Sequence, residues 1–311
     1  MHPAWSVIVF TTVAGAAQGM VVVLALLSLV GVPLEPVFLD TTLGCALTLL
    51  VSGLAASFLH LGHPERAWRA MAMWRTSWLS REVIVLPVFI ALVALWWLTL
   101  QRATAPPWLR LGLPLLMLLL STLLWLCTAM IYACIRFIQE WAHPITVALY
   151  GSIGMATGAL WTAVLALLSG QPALARELAP LAATLTAVAW LVRAAALRRN
   201  AGLKPLSTLQ SATGIRGAPL VQKSMGLSAG SFNTREFFHG AGAAALRHVR
   251  LALHGLGFAL PLALLVAVAL GSPLALLPLA LVLQVPGVLA ERWLFFAQAR
   301  HPQNLYYQTV S

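Results

Sequence analysis

Residues 5–31, WSVIVFTTVAGAAQGMVVVLALLSLVG, run for 27 positions without one ionisable side chain. A helix needs about 20 such residues to cross the hydrocarbon core of a bilayer, so this stretch is long enough to span by itself. The same texture recurs along the chain. Of 311 residues 60% are hydrophobic and only 9% charged, and the mean hydropathy is +0.88. A soluble domain of this length cannot cover its surface with so little charge, and the side chains must face lipid.

Outward from the first run, further apolar stretches predict helices at about 38–60, 82–100, 112–138, 144–169, 177–196, 250–270 and 273–297. The expectation is an all-α integral membrane protein: an eight-transmembrane-helix bundle forming a single domain over 1–311, with a basic cytoplasmic loop at 197–249. The last two runs are separated only by Gly271-Ser272-Pro273, so one kinked helix, and seven spans, is the alternative. The first run has no basic segment ahead of it and no small-residue cleavage site behind it, which reads as a retained helix rather than a signal peptide.

Charge tests the alternation. With eight spans, sixteen of the nineteen Arg and Lys residues fall on one side, and Arg102, Arg110 and Arg176 on the other. The positive-inside rule puts the rich side, and both termini, in the cytoplasm. The formal charge of +11 is thereby explained by topology rather than by nucleic acid. Cys45, Cys127 and Cys134 lie in apolar runs without a CxxC spacing, which provides neither a disulfide framework nor ligands for an iron–sulfur cluster.

Ser77-Trp78-Leu79-Ser80-Arg81-Glu82 and Ser231-Phe232-Asn233-Thr234-Arg235-Glu236 share Ser, an aromatic, a hydroxyl residue and Arg-Glu at matching offsets. Four spans separate them, which fits two four-helix repeats related by an axis along the membrane normal. The competing reading is a recurrent helix cap, with Ser80 or Thr234 accepting a backbone N–H and the Glu facing the positive helix end.

The richest polar cluster is His60-Leu61-Gly62-His63-Pro64-Glu65-Arg66, followed by Ser80-Arg81-Glu82. His60 closes the second run and Glu82 opens the third, which places both at one membrane boundary. An imidazole beside a carboxylate suits a quinone, whose two-electron chemistry moves two protons. The plainer alternative makes His60 a helix cap and pairs Glu82 with Arg66 or Arg81. Haem needs facing histidines inside spans, and only His254 and the marginal His60 qualify, so no haem is expected. Tyr132, Arg136 and Glu140 share one helical face at four-residue spacing, predicting an Arg136–Glu140 pair with Trp141 in the interfacial aromatic belt. Glu291 is an acid near a span and calls for a buried partner or a proton to handle. No phosphate-binding glycine loop, zinc motif or nucleophile elbow is present.

His60-Leu61-Gly62, Pro64, Arg66-Ala67, the Ser-x-Glu at 80–82 and eight spans together resemble the DmsC-type membrane anchor subunits of dimethyl sulfoxide reductase and related complex iron–sulfur molybdoenzymes. Residues 3–12, 231–239 and 291–307 look further like the branch that includes the anchors of cytoplasmic sulfite dehydrogenases. The resemblance implies a non-catalytic anchor for electron transport in anaerobic respiration or sulfite oxidation. Its partners would be a ferredoxin-like iron–sulfur subunit and a molybdopterin catalytic subunit. It would exchange electrons with menaquinone or ubiquinone and carry neither haem nor iron–sulfur cluster. The family's quinone-site histidine falls on His60 and its acid on Glu82, with Arg81 and Arg66 beside them. Arg81 stands where the reductase anchors carry Asn, and an Arg there favours an ionised Glu82. The acidic loop Glu35 to Asp40 also departs from the family's pattern. A secondary transporter and a purely structural anchor are the competing readings; the first requires polar groups at midplane, whereas the sequence concentrates them at the rim.

Overall fold

The computed structural model describes residues 2–59, 61–100, 106–206, 208–217, 219–221, 223–224, 236–237, 239–302 and 304. Among the described residues, eight helices long and apolar enough to cross a membrane follow one another. They are α1 (Trp5–Val30), α2 (Pro36–Phe58), α3 (Trp78–Leu100), α4 (Pro107–Ala133), α5 (Pro144–Leu168), α6 (Pro172–Ala201), α7 (Ala243–Ala269) and α8 (Leu276–Ala297). Proline opens α2, α4, α5 and α6, where its missing N–H costs nothing and its fixed φ suits the first turn. A 3-10 segment, Pro64–Met71, lies between α2 and α3, and a short helix, Leu209–Thr213, between α6 and α7.

The helices close into two rings of four. α1 packs on α2 and α4, and α3 joins α2 to α4; likewise α5 packs on α6 and α8, and α7 joins α6 to α8. The rings meet where α1 lies along α5, flanked by α4 on α5 and α8 on α1. This pattern of contacts repeats under exchange of the two halves, as two four-helix repeats require. The Ser231–Arg235 part of the sequence echo lies outside the described residues. In the first copy the cap is Ser77 rather than Ser80: its hydroxyl accepts the Ser80 N–H at 3.3 Å.

Glycine makes the α1–α5 approach. A Cβ on Gly158 would stand 2.3–2.4 Å from the backbone of Gly19, and one on Gly19 would stand 2.1 Å from the Gly154 oxygen. Gly15, Gly19, Gly154 and Gly158 recur at four-residue spacing, the small-residue pattern by which helices in lipid bring their backbones together. A second close approach joins α7 to α8, where Gly257 sits against Gly287. Here α7 widens into a π turn over Gly255–Ala259, which presses its backbone onto α8.

Between α7 and α8 the chain turns at Gly271, φ 107°, which decides for a hairpin over one kinked helix. Arg176, one of the three cations on the arginine-poor face, donates to the Val268 and Ser272 carbonyls at 2.9 and 3.2 Å. It therefore ties down the end of α7, where a cation complements the helix dipole. Two expected boundaries differ. α7 begins at Ala243, because Arg247, His248 and Arg250 interrupt the apolar pattern without interrupting the helix. α4 stops at Ala133, and the following residues turn toward α5.

Two consequences follow for stability. Gly158→Val places a branched side chain in the Gly19 backbone and is expected to lower stability by about 1–3 kcal/mol, read as a fall in thermal midpoint in detergent. At the start of α5, His143 accepts the Ile145 N–H through Nδ1 at 3.1 Å, a role only the neutral ring can play. Desolvation, then Arg199, hold this imidazole below its ordinary range. The folded state thus binds its proton less readily than the unfolded chain, so the cap is present above about pH 6.5 and lost as pH falls. Amide protection in the first turn of α5, taken relative to intrinsic exchange at each pH, should fall on acidification, and His143→Asn, an acceptor without a titration, should flatten that fall.

Candidate functional site

Glu82 stands in the second turn of α3, turned toward α4 and only 5% exposed. The Thr128 hydroxyl of α4 donates to its Oε1. Neither arginine proposed as a partner reaches it. Arg81 donates to the Trp74 and Arg75 carbonyls at 3.0 and 2.9 Å and lies over the Trp78 ring at 4.2 Å. Arg66 is exposed on the 3-10 segment, 3.6 Å from Glu65, which also meets His63 at 3.0 Å. The simple ion-pair reading of Glu82 is therefore replaced by a buried carboxyl group with a neutral hydroxyl partner. His60 lies outside the described residues.

Behind Glu82 the bundle holds a second polar layer that the sequence points to only in part. Glu291 on α8 is fully buried, with Arg193 of α6 at 3.1 Å and Arg292 at 2.5 Å. The expectation that Glu291 has a buried partner holds, and it has two. Arg193 and Arg292, assigned from the sequence only to the arginine-rich side, are 1% and 2% exposed. Burying a guanidinium is costly unless it is paired, and both use the same carboxylate. Arg292 also lies over the Tyr150 ring at 4.3 Å. The depth of this layer follows from helix geometry. Glu82, Thr128, Tyr150, Arg193 and Arg292 each lie one to two turns from the arginine-rich ends of their helices, roughly 6–12 Å in. Polar groups are thus not confined to the rim, as the sequence suggested.

The stripe Tyr132, Arg136, Glu140 does not form, because α4 ends at Ala133. Glu140 instead meets Arg300, at 4.0 Å and through the Arg300 N–H at 3.4 Å. Trp141 is buried rather than interfacial: its indole N–H donates to the Phe295 carbonyl at 3.1 Å. Tyr132, Trp141, Tyr150, Phe295 and Phe296 interlock as an aromatic cluster under the polar layer, with Tyr132 in contact with the other four at centroid distances of 5.2–5.8 Å. His254 accepts the Trp190 indole N–H at 2.9 Å. Among the described residues no three His, Cys, Asp or Glu side chains converge as a metal site.

Sequence reasoning found Glu82 and Glu291 but missed Thr128, Tyr150, Arg193 and Arg292 as their neighbours. A lone arginine within an apolar run, such as Arg193 between Val192 and Ala194, was the available signal.

An eight-helix membrane bundle with an acid-bearing layer near its arginine-rich face defines the class, and comparison with known proteins gives the family. The family model described as "DMSO reductase anchor subunit (DmsC)" matches residues 1–298, and the chain belongs to this family. It is 46% identical over 328 residues to a subunit of the sulfite dehydrogenase of Allochromatium vinosum, with both chains covered in full.

The buried charges predict a ranked response. Glu291→Leu leaves two guanidinium groups facing each other and is expected to cost about 3–5 kcal/mol, close to loss of the folded protein. Arg193→Leu keeps the Arg292–Glu291 pair and should cost less, and thermal unfolding of the two variants in detergent orders them.

Proposed function

We propose that this chain is the membrane anchor of a molybdoenzyme complex, passing electrons between an iron–sulfur subunit on its arginine-rich face and quinone near Glu82. The observation that carries the reading is Glu82 itself: a carboxyl group enclosed in a lipid-facing bundle, held by a neutral hydroxyl rather than a cation. An acid kept there at the cost of desolvation is suited to taking and giving a proton. The similarity to a sulfite dehydrogenase subunit favours sulfite oxidation, with electrons flowing into the quinone pool; dimethyl sulfoxide reduction is the reverse use of such an anchor.

When bound, the quinone supplies a carrier that accepts or releases two electrons and two protons. Glu82 takes up or returns a proton at its carboxylate oxygen, while Thr128 holds that oxygen in place. His60, beside the end of α2, would hydrogen-bond a quinone carbonyl. Arg81 and Arg66 would hold positive potential at the mouth, Arg81 being braced by loop carbonyls and by Trp78. The arrangement fits a quinone in chemical kind: exchangeable polar groups lie at a boundary flanked by exposed apolar side chains, among them Leu59, Leu61 and Met71.

The loop between α2 and α3 presents Trp68 and Trp74, 64% and 53% exposed, beside Arg69 and Arg75. Aromatic and arginine side chains together are the composition of a protein interface, and this loop is the surface proposed to meet the iron–sulfur subunit. The positive-inside rule places that face in the cytoplasm, with the bundle in the inner membrane.

The test compares quinone-dependent turnover of the complex purified with its natural partners, in wild type, Glu82→Gln and His60→Ala, with subunit association verified. Each variant is expected to remain assembled and to lose about 100-fold or more in turnover. Normal turnover in both variants would remove the site from this position, and the absence of any soluble partner would return the chain to the transporter reading.

A further inference from the structure

Where the two rings of helices meet, α1, α4, α5 and α8 enclose a cavity of about 20 Å³. Its wall includes Thr12, Gln18, Trp125, Thr128, Tyr150 and Arg292. Most of these residues bring a polar atom that is buried and has no protein partner: Thr12 Oγ1, Gln18 Oε1, Trp125 Nε1, the Tyr150 hydroxyl and Arg292 Nη2. Gln18 and Tyr150 are themselves 2% and 5% exposed. Leaving each such group dry costs about 1–3 kcal/mol, whereas a polar cavity above about 10–15 Å³ has room for water and needs only two to four partners around it. Both conditions are met.

Two charged groups are linked to this cavity, Arg292 as part of its wall and Glu82 through Thr128. The Thr128 hydroxyl donates to Glu82 and keeps lone pairs free to accept from the cavity. Arg292 reaches it from α8 while also pairing with Glu291. The formal charges of Arg193, Arg292 and Glu291 sum to plus one inside the bundle. An ionised Glu82 makes the buried total zero, and a protonated Glu82 returns it to plus one.

We infer that water fills this cavity, and that through it Arg292 acts on Glu82 as a positioning residue, its surplus charge favouring release of the Glu82 proton. The functional half of this inference rests on Glu82 being the proton-exchanging acid proposed above; the hydration of the cavity does not. The titratable groups within electrostatic reach of Glu82 are Cys127 and Tyr132 of α4 and Tyr150 of α5, and Arg292 of α8 lies over the Tyr150 ring at 4.3 Å. Arg81 bonds loop carbonyls and acts on Cys127, and Arg66 pairs with Glu65.

Two measurements on the assembled complex test the inference. A high-resolution cryo-EM map should show ordered water density between Thr128, Tyr150 and Arg292; a cavity that is dry or closed by side chains overturns it, whatever the quinone site proves to be. The pH profile of quinone-dependent turnover should move toward higher pH in Arg292→Met by about one unit, and Arg292→Lys, which restores the charge, should bring it back. Thr128→Val, which cuts the bridge without touching Glu291, should displace the profile in the same direction and serves as the deciding variant if Arg292→Met does not assemble. An unmoved profile in an assembled variant overturns the role of Arg292. Unimpaired turnover in Glu82→Gln overturns instead the function proposed for Glu82, and the water map then decides the cavity alone.

Discussion

The backbone of α1 rests on the backbone of α5, with Gly19 set between Gly154 and Gly158. In lipid there is no hydrophobic drive to bring two helices together, and association depends on how closely they pack and on what polar groups they share. At this crossing the absence of side chains permits an approach that Cβ atoms would forbid. The two four-helix rings are joined along this line, so the placement of α4 against α5 and of α8 against α1 depends on it. The polar cavity is a product of the same geometry, because its walls come from α1, α4, α5 and α8.

Charge is arranged in two tiers. At the face, Arg66, Arg69, Arg75 and Arg81 surround a loop rich in tryptophan, where they are solvated, stacked or bonded to loop carbonyls. One to two turns deeper, Arg193 and Arg292 share Glu291 while Glu82 has a neutral partner. A bundle in hydrocarbon tolerates such groups only where helices can supply partners or a cavity can supply water. Thr128 and Arg292 reach the junction of the two rings, where both are available, and link Glu82 and Glu291 to it.

Much of this was legible along the chain. Eight spans, the hairpin between the last two, the asymmetry of arginine and the suspicion attached to Glu82 and Glu291 all come from local composition. What misled was helical continuation: Tyr132, Arg136 and Glu140 have the spacing of one face, yet α4 ends at Ala133 and Glu140 turns to Arg300 instead. Arg193 and Arg292 fall inside the expected spans, but their burial was not legible, because Arg193 meets Glu291 only across the bundle.

The sequence by itself determined the solvent, the positions of the apolar spans and the asymmetry of arginine along the chain, because hydropathy and arginine placement act on each segment separately. The tertiary structure alone decided which polar groups meet. Thr128 with Glu82 and Arg193 with Glu291 are contacts between separate helices, and Gln18 and Arg292 line one cavity from the two ends of the sequence. Their pairing follows from the rotation and depth of each helix in the bundle, and those are set by backbone approaches such as Gly19 on Gly158, which no single segment encodes.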